Sequence, residues 1–165
     1  LEHNFGDVQD LLPGAFAHEI EKLNTRIYRN LANKVYEVGF RADQSTYELN
    51  IKVIVDEFAW LELYLRDRDY LIGDQLTIAD LRLFSFLIRF DPVYFVHFKC
   101  SQKLVREMPN ISRYLRRLLA IPEIAITVDI VEIKQHYYLS HRHLNPSGII
   151  PLTDDDFHNK PDFYS

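Results

Sequence analysis

The segment 78–90 constrains the fold more than any other part of this chain, because it is apolar on nearly every side of a helix. Its apolar residues are Ile78, Ala79, Leu81, Leu83, Phe84, Phe86, Leu87, Ile88 and Phe90. A helix of this kind is stable only where other elements surround it, so the segment predicts the central helix of a bundle. Thr77 and Asp80 have the spacing of a capping box, in which a hydroxyl and a carboxylate bond unpaired N–H groups of the first turn.

A first helix is predicted upstream, from Pro13-Gly14 to about Asn33, in a region where no proline interrupts the chain. Its apolar positions recur every three or four residues, which is the period of an amphipathic helix. They are Phe16, Ile20, Leu23, Ile27 and Leu31. Residues 35–40 lack this period and are predicted to form an irregular connector, in which Gly39 permits a backbone angle that other residues avoid.

A second long helix is predicted to begin at Ser45, which forms a possible capping box with Glu48, and to end near Arg66. The predicted buried stripe of this helix is Tyr47, Ile51, Ile54, Val55, Phe58, Leu61 and Leu65. Further on, Asp91-Pro92 is expected to end the central helix. Shorter helical pieces are predicted at about 101–106, 111–119, 122–127 and 130–138, the last capped by Asp129.

The chain after Leu139 is polar and rich in proline, which predicts an extended tail. Strand-like alternation never persists beyond a few residues, so the predicted fold class is all-α. We expect one helical domain over residues 1–151 and an irregular tail over 152–165.

Composition excludes several function classes. The five glycines stand alone, so neither Gly-rich phosphate-binding motif is encoded, and one cysteine excludes an internal disulfide framework. No apolar run approaches the length of a membrane span, and the net charge of −5 disfavours nucleic acid as a partner. One stretch, 99–117, holds six basic residues against one acid. It reads as a solvated helix face, with a nucleic-acid adaptor as the weaker alternative.

The segment Gly73-Asp74-Gln75-Leu76-Thr77-Ile78-Ala79-Asp80 resembles the start of the core helix in the C-terminal domain of glutathione transferases. Three further segments narrow the resemblance to the glutathionyl-hydroquinone reductases, also called Xi-class or omega-like transferases of the extracellular-mutant type. They are residues 35–40, residues 88–100 (with the block Arg-Phe-Asp-Pro-Val-Tyr) and residues 136–150. The resemblance implies a helical bundle of the glutathione transferase C-terminal type.

Members of that family also carry an N-terminal thioredoxin-like domain whose cysteine is the nucleophile and whose backbone holds glutathione, the co-substrate. That domain is absent from this chain, so we expect the chain alone to be inactive. The family reaction is the reductive deglutathionylation of glutathionyl-hydroquinones. The resemblance further implies a homodimer that pairs through helical domains. We also expect a cytoplasmic protein that has neither nucleic acid nor membrane as a partner.

In the family, two tyrosines of the helical domain face the thiolate across the aromatic substrate. The matching segments make Tyr36 and Tyr137 the catalytic candidates, as hydrogen-bond donors to the departing ring oxygens. Phe40, Tyr94 and Tyr138 are the candidates for substrate binding. Without the resemblance, each tyrosine would be read as an ordinary core or surface aromatic.

The other charged or potentially reactive side chains are interpreted as structural rather than catalytic. Cys100 lies away from the expected glutathione site, so it is not predicted to be the nucleophile. Arg89 and Asp91 are interpreted as either a structural ion pair or a hydrogen-bonding corner. The histidines His97, His136, His141 and His143 lie in two of the matching segments. Their spacing is not a recurring metal pattern, so no metal site is predicted. The alternative for the whole chain is a non-catalytic interaction module.

Overall fold

The structure is a computed structural model that describes residues 10–41 and 43–152, and every regular element in those ranges is helical. The predicted all-α class is therefore confirmed. The helices are α1 (Ala17–Ile27), α2 (Lys34–Gly39), α3 (Gln44–Tyr64), α4 (Ile78–Arg89), α5 (Phe95–His97), α6 (Pro109–Leu119), α7 (Pro122–Ala125) and α8 (Ile130–Ser140). Wide π turns occupy Tyr28–Ala32 and Phe90–Tyr94, and 3₁₀ turns occupy Gly14–Phe16 and Val105–Glu107. Of the predicted tail 152–165, all but the first residue lies outside the described residues.

Helix α4 is the central helix, as its apolar pattern predicts. It packs against α1 and α6, and its residues Ala79, Leu83 and Leu87 are fully buried. The capping box at its start is confirmed, because the Asp80 carboxylate accepts hydrogen bonds from the Thr77 N–H and the Thr77 hydroxyl, both at 2.8 Å.

Asp80 also holds two other elements in place. Its second oxygen accepts bonds from the Leu71 N–H and from the Tyr114 hydroxyl of α6, both at 2.8 Å, and the side chain is entirely buried. The carboxylate therefore joins the start of α4, the preceding loop and α6 at a single point. Burying the charged Asp80 carboxylate is tolerable because four protein donors replace the hydrogen bonds that water would make to its two oxygens.

The predicted connector at residues 35–40 is wrong, since α2 covers Lys34–Gly39. The helix is too short for a periodic pattern to reveal it, and it follows directly on the π turn Tyr28–Ala32. Gly39 does not adopt a positive φ either. Its role is close packing, because a Cβ at this position would overlap the ring of Phe98.

This close approach predicts that Gly39→Ala lowers the free energy of unfolding by about 1–3 kcal/mol, the usual cost of overpacking a core. Urea unfolding followed by circular dichroism measures the change. Gly14→Ala is the matched control, because nothing lies within 4 Å of a Cβ at Gly14. We expect that variant to be neutral or slightly stabilised. Equal stabilities of the two variants would contradict the packing role of Gly39.

The start of α3 also differs from the prediction. Asp43, and not Ser45, is the N-cap, and its carboxylate accepts from the Thr46 N–H at 2.8 Å and the Ser45 hydroxyl at 2.9 Å. The predicted stripe is buried at Ile51, Ile54, Phe58, Leu61 and Leu65, and Tyr47 is partly buried. Val55 is the exception, being 41% exposed beside a surface groove.

Asp91-Pro92 does not end the helical path as predicted. The chain continues through the π turn Phe90–Tyr94 into α5, because the wider turn accommodates a proline that has no N–H to donate. The Asp91 carboxylate accepts from the N–H groups of Val105 and Arg106, at 2.7 and 3.2 Å. The helix predicted at 101–106 is wrong as well, since only the 3₁₀ turn Val105–Glu107 forms there.

The shorter helices predicted near 111–119, 122–127 and 130–138 are present as α6, α7 and α8. The predicted cap of the last one is confirmed, since the Asp129 carboxylate accepts from the Glu132 N–H at 2.9 Å. After α8 the chain has no regular structure as far as residue 152, although Leu144 and Ile150 pack against the core.

Candidate active site

Three tyrosine hydroxyls meet at one point between α2, the π turn Phe90–Tyr94 and α8. The Tyr137 hydroxyl lies 2.8 Å from the Tyr36 hydroxyl and 2.9 Å from the Tyr94 hydroxyl. Tyr36 and Tyr137, which are 101 residues apart in sequence, are therefore in direct contact. The structure brings together both residues predicted as catalytic and one of those predicted to bind substrate. We call these three residues the tyrosine cluster.

Local structure fixes each member of the cluster. The π turn that carries Tyr94 turns its ring parallel to that of Phe98, with the centroids 5.5 Å apart. Phe98 also packs against the ring of Tyr36 at 5.1 Å. The absent side chain of Gly39 makes room for Phe98 in this position. Ring packing therefore helps to position the tyrosine side chains, in addition to the hydrogen bonds between their hydroxyls.

Burial governs the acid–base behaviour of the cluster. It raises the pKa of Tyr36 to about 12, and the neighbouring Tyr137 hydroxyl adds to the shift. Burial also raises the pKa of Tyr94 far above its usual value, with Tyr137 adding again. The positive charge of Arg89 opposes both shifts, but it is the smallest contribution. Tyr36 and Tyr94 therefore keep their protons at neutral pH and can act as hydrogen-bond donors.

The three tyrosine side chains lie at different depths below the protein surface. Tyr94 and Tyr137 are 4% and 7% exposed, whereas Tyr36 is only partly buried. Tyr36 is thus the member of the cluster nearest to solvent, and Tyr94 lies deepest. A molecule that approaches from outside meets the Tyr36 hydroxyl first.

An aromatic surface adjoins Tyr36. The ring of Phe40, which is 42% exposed, lies 6.0 Å from the Tyr36 ring and stacks on His143 at 5.2 Å. His141 meets the edge of Phe40 at 5.3 Å. An exposed aromatic surface beside hydroxyl donors suits a flat aromatic ligand that carries oxygen substituents.

Tyr138 is placed differently from the other predicted residues. It is 2% exposed, and its hydroxyl donates to the Pro92 carbonyl at 3.4 Å rather than to the tyrosine cluster. Its ring packs on His97, with centroids 4.6 Å apart. Burial raises its pKa to about 12. Its part in substrate binding stays a prediction.

Two histidines form a pair beside the cluster. The Nε2 atom of His97 lies 3.1 Å from the Nδ1 atom of His141, and their rings are stacked 5.3 Å apart. Burial lowers the pKa of His97 to about 4, with His141, Lys99 and His143 adding to the shift. Burial also lowers the pKa of His141. In the part of the chain that the structure describes, no group of three or more potential ligands is arranged to hold a metal ion.

The low pKa of His97 predicts a loss of stability in acid. As the pH falls, the His97 imidazole binds a proton near pH 6.5 in the unfolded chain but only near pH 4 in the folded chain. The contribution of His97 to stability is therefore complete above about pH 6.5 and is lost as the pH falls from 6.5 to about 4. We expect the free energy of unfolding to fall by on the order of 2 kcal/mol across the window. Urea unfolding at several pH values measures it.

His97→Gln should flatten this pH dependence, whereas His18→Gln, at an exposed position of α1, should leave it unchanged. Comparing the variants removes the contribution of carboxylates that titrate in the same range. Parallel stability curves for the wild type and His97→Gln would contradict the assignment.

Cys100 is 1% exposed, and burial raises its pKa to about 12, so little reactive thiolate forms. This agrees with the prediction that it is not the nucleophile. Asp91 forms the predicted structural corner through its bonds to Val105 and Arg106. Arg89 instead donates to the Ser85 carbonyl of its own helix.

The sequence reasoning missed Phe98, and it considered His97, His141 and His143 mainly as metal ligands. Phe98 lies four residues after Tyr94, a spacing that places two side chains on one face of a helix. That spacing would have indicated Phe98 if the helical path had been predicted to continue through Pro92.

Comparison with known proteins identifies the class. The profile of the glutathione S-transferase C-terminal domain matches residues 44–117. The matched residues 44–117 carry this C-terminal helical domain. Its relatives within that family are glutathionyl-hydroquinone reductases and Xi-class transferases, which confirms the resemblance predicted from the sequence.

Three relatives define the similarity. Glutathionyl-hydroquinone reductase PcpF of Sphingobium chlorophenolicum is 42% identical, over 87% of this chain and 46% of its own length. The glutathione-bound structure of YqjG from Escherichia coli K-12 is 38% identical, with a TM-score of 0.85 over 96% of this chain and 51% of that one. The Xi transferase of Phanerochaete chrysosporium is 39% identical, with a TM-score of 0.85 over 88% of this chain and 49% of its own. The chain thus spans about half the length of these relatives. No helix within residues 10–41 and 43–152 is long and apolar enough to cross a membrane.

Proposed function

We propose that this chain is the aromatic-substrate half of an enzyme that reductively removes glutathione from glutathionyl-hydroquinones. Glutathione is the co-substrate, and its binding site and the reactive thiolate belong to a thioredoxin-like domain outside this chain. The tyrosine cluster, beside the exposed ring of Phe40, is the observation that carries this proposal.

The reaction divides between the two halves. The thiolate attacks the glutathione sulfur, the bond from that sulfur to the ring carbon breaks, and its electron pair passes into the ring, where a proton replaces the sulfur. The ring is reduced and the two sulfurs are oxidised to a mixed disulfide. A second glutathione then releases oxidised glutathione and restores the thiolate. Negative charge grows on the ring oxygens as the first bond breaks, so donors placed there accelerate that step.

The order of the tyrosines supports a directional role. Tyr94 is the most buried member of the cluster, and its hydroxyl lies 2.9 Å from that of Tyr137. A donor at Tyr94 orients the Tyr137 proton towards the side of Tyr36 and the substrate. Tyr36 and Tyr137 then donate to the ring oxygen, and Tyr94 acts as a positioning residue behind them.

Activity of a chimera tests the proposal. The chimera joins this chain to the half of Escherichia coli YqjG that the chain does not match. We expect no turnover of a glutathionyl-hydroquinone by the chain alone and measurable turnover by the chimera in the presence of glutathione. A folded chimera without activity would favour the alternative, a non-catalytic interaction module, and activity of the chain alone would contradict the division of the reaction.

A further inference from the structure

A groove separate from the tyrosine cluster lies between α3 and the loop that follows α5. Its volume is about 330 Å³, within the lower range of small-molecule sites. Its floor is apolar and consists of Ile54, Phe58, Phe90, Cys100 and Met108, all of them buried. None of the three clustered tyrosines lines it.

The rim of the groove carries one positive side chain, Lys103, and one negative side chain, Glu62. Lys103 lines the groove, is exposed, and makes no ion pair with the described residues. Lys99 and Arg106, on the same loop, are exposed as well. The Glu62 carboxylate is held at the start of α6, where its oxygens accept from the N–H groups of Asn110 and Ile111 at 2.7 and 3.0 Å. Lys103 is therefore the charged group of the rim that has no partner among the described residues.

The other basic residues of the 99–117 stretch serve the fold. Arg113 donates to backbone carbonyls at the end of α3, among them that of Arg66 at 2.9 Å. Arg116 donates to the Ser112 hydroxyl, and Arg117 pairs with Asp69. Arg113 and Arg116 bond neutral groups and keep their positive charge, whereas Arg117 is paired with a carboxylate. The loop 99–106 therefore adds positive charge beside the groove to that of α6, in a chain whose net charge is −5. The net negative charge of the chain disfavours the nucleic-acid adaptor, which needs a predominantly basic surface.

We propose that this groove binds a small amphipathic anion, a carboxylate with an apolar body of about the size of a medium-chain acyl group. The apolar floor takes the hydrocarbon, and Lys103 at the rim pairs with the carboxylate. The site is independent of the proposed enzymatic reaction, because it shares no residue with the tyrosine cluster.

Calorimetric titration of the purified chain with decanoate tests the proposal. Ala59→Trp fills the groove from an exposed position of α3 and should weaken binding more than about tenfold. Leu63→Trp is the matched control, since Leu63 is exposed on the same helix and does not line the groove. Lys103→Gln should weaken binding about fivefold at low salt and less at high salt, whereas Lys22→Gln, which removes a charge from α1, should not.

Each alternative has its own result. Absence of decanoate binding, or equal affinities of Ala59→Trp and Leu63→Trp, would overturn the proposal. Weaker binding in Tyr137→Phe would place the ligand at the tyrosine cluster and would also overturn it. Light scattering, which measures the molar mass in solution, tests whether a second copy of the chain occupies the groove instead. A dimer that Ala59→Trp dissociates, without any binding of decanoate, would assign the groove to that second copy.

Discussion

Replacing Tyr137 by Phe in the chimera is expected to lower kcat about 10²-fold, because it removes a donor aimed at charge that develops in the transition state. It also leaves the buried Tyr94 hydroxyl without the partner that it contacts at 2.9 Å. Since the lost interaction strengthens only as the carbon–sulfur bond breaks, kcat and kcat/KM should fall together. Steady-state kinetics with a glutathionyl-hydroquinone measures both.

Tyr64→Phe is the matched control for this prediction. The Tyr64 hydroxyl donates to the Leu71 carbonyl at 2.8 Å, outside the tyrosine cluster, so its loss should leave turnover unchanged. Helicity measured by circular dichroism should be the same for both variants. Unchanged turnover in Tyr137→Phe, with the fold intact, would exclude Tyr137 from the reaction.

Replacing Asp80 by Asn is expected to destabilise the fold by about 3–5 kcal/mol, a large part of the 5–15 kcal/mol that stabilises a typical domain. The carboxylate accepts four hydrogen bonds, and an amide presents its own N–H groups to some of the same donors. Unsatisfied donors in a fully buried site cannot turn to water. Urea unfolding at neutral pH, followed by circular dichroism, gives the difference.

Asp74→Asn, at an exposed position of the same loop, controls for the change of charge. It should alter the free energy of unfolding by less than about 0.5 kcal/mol. A similar small effect for Asp80→Asn would show that the network around Asp80 does not hold the start of α4, the preceding loop and α6 together.

The central helix and its cap were predictable because their causes are local. An apolar run with a Thr and an Asp three residues apart specifies both the burial of α4 and its first turn. The course of the chain at residues 35–40 and at Pro92 was not predictable from the sequence, because it depends on packing against other elements of the fold. A six-residue helix has no readable period, and a π turn lets the chain pass a proline that would break a regular α-helix.

The candidate site was predictable in part, and only through the family resemblance. Composition and spacing do not reveal that Tyr36 and Tyr137 meet, since their contact depends on how the bundle brings these two side chains, 101 residues apart in sequence, to one point. The deeper position of Tyr94 follows from the π turn. The sequence therefore could not show whether Tyr94 faces the substrate or lies behind the other two tyrosines. The pairing of His97 with His141 likewise depends on the end of α8.

The most direct test of the proposed function is a crystal structure of the chimera with a hydroquinone bound. We expect one ring oxygen to lie within about 3 Å of both the Tyr36 and the Tyr137 hydroxyls, with the ring beside Phe40. A hydroquinone bound elsewhere, with the three tyrosines bonded only to one another, would contradict the assignment of this domain as the aromatic-substrate half of the enzyme.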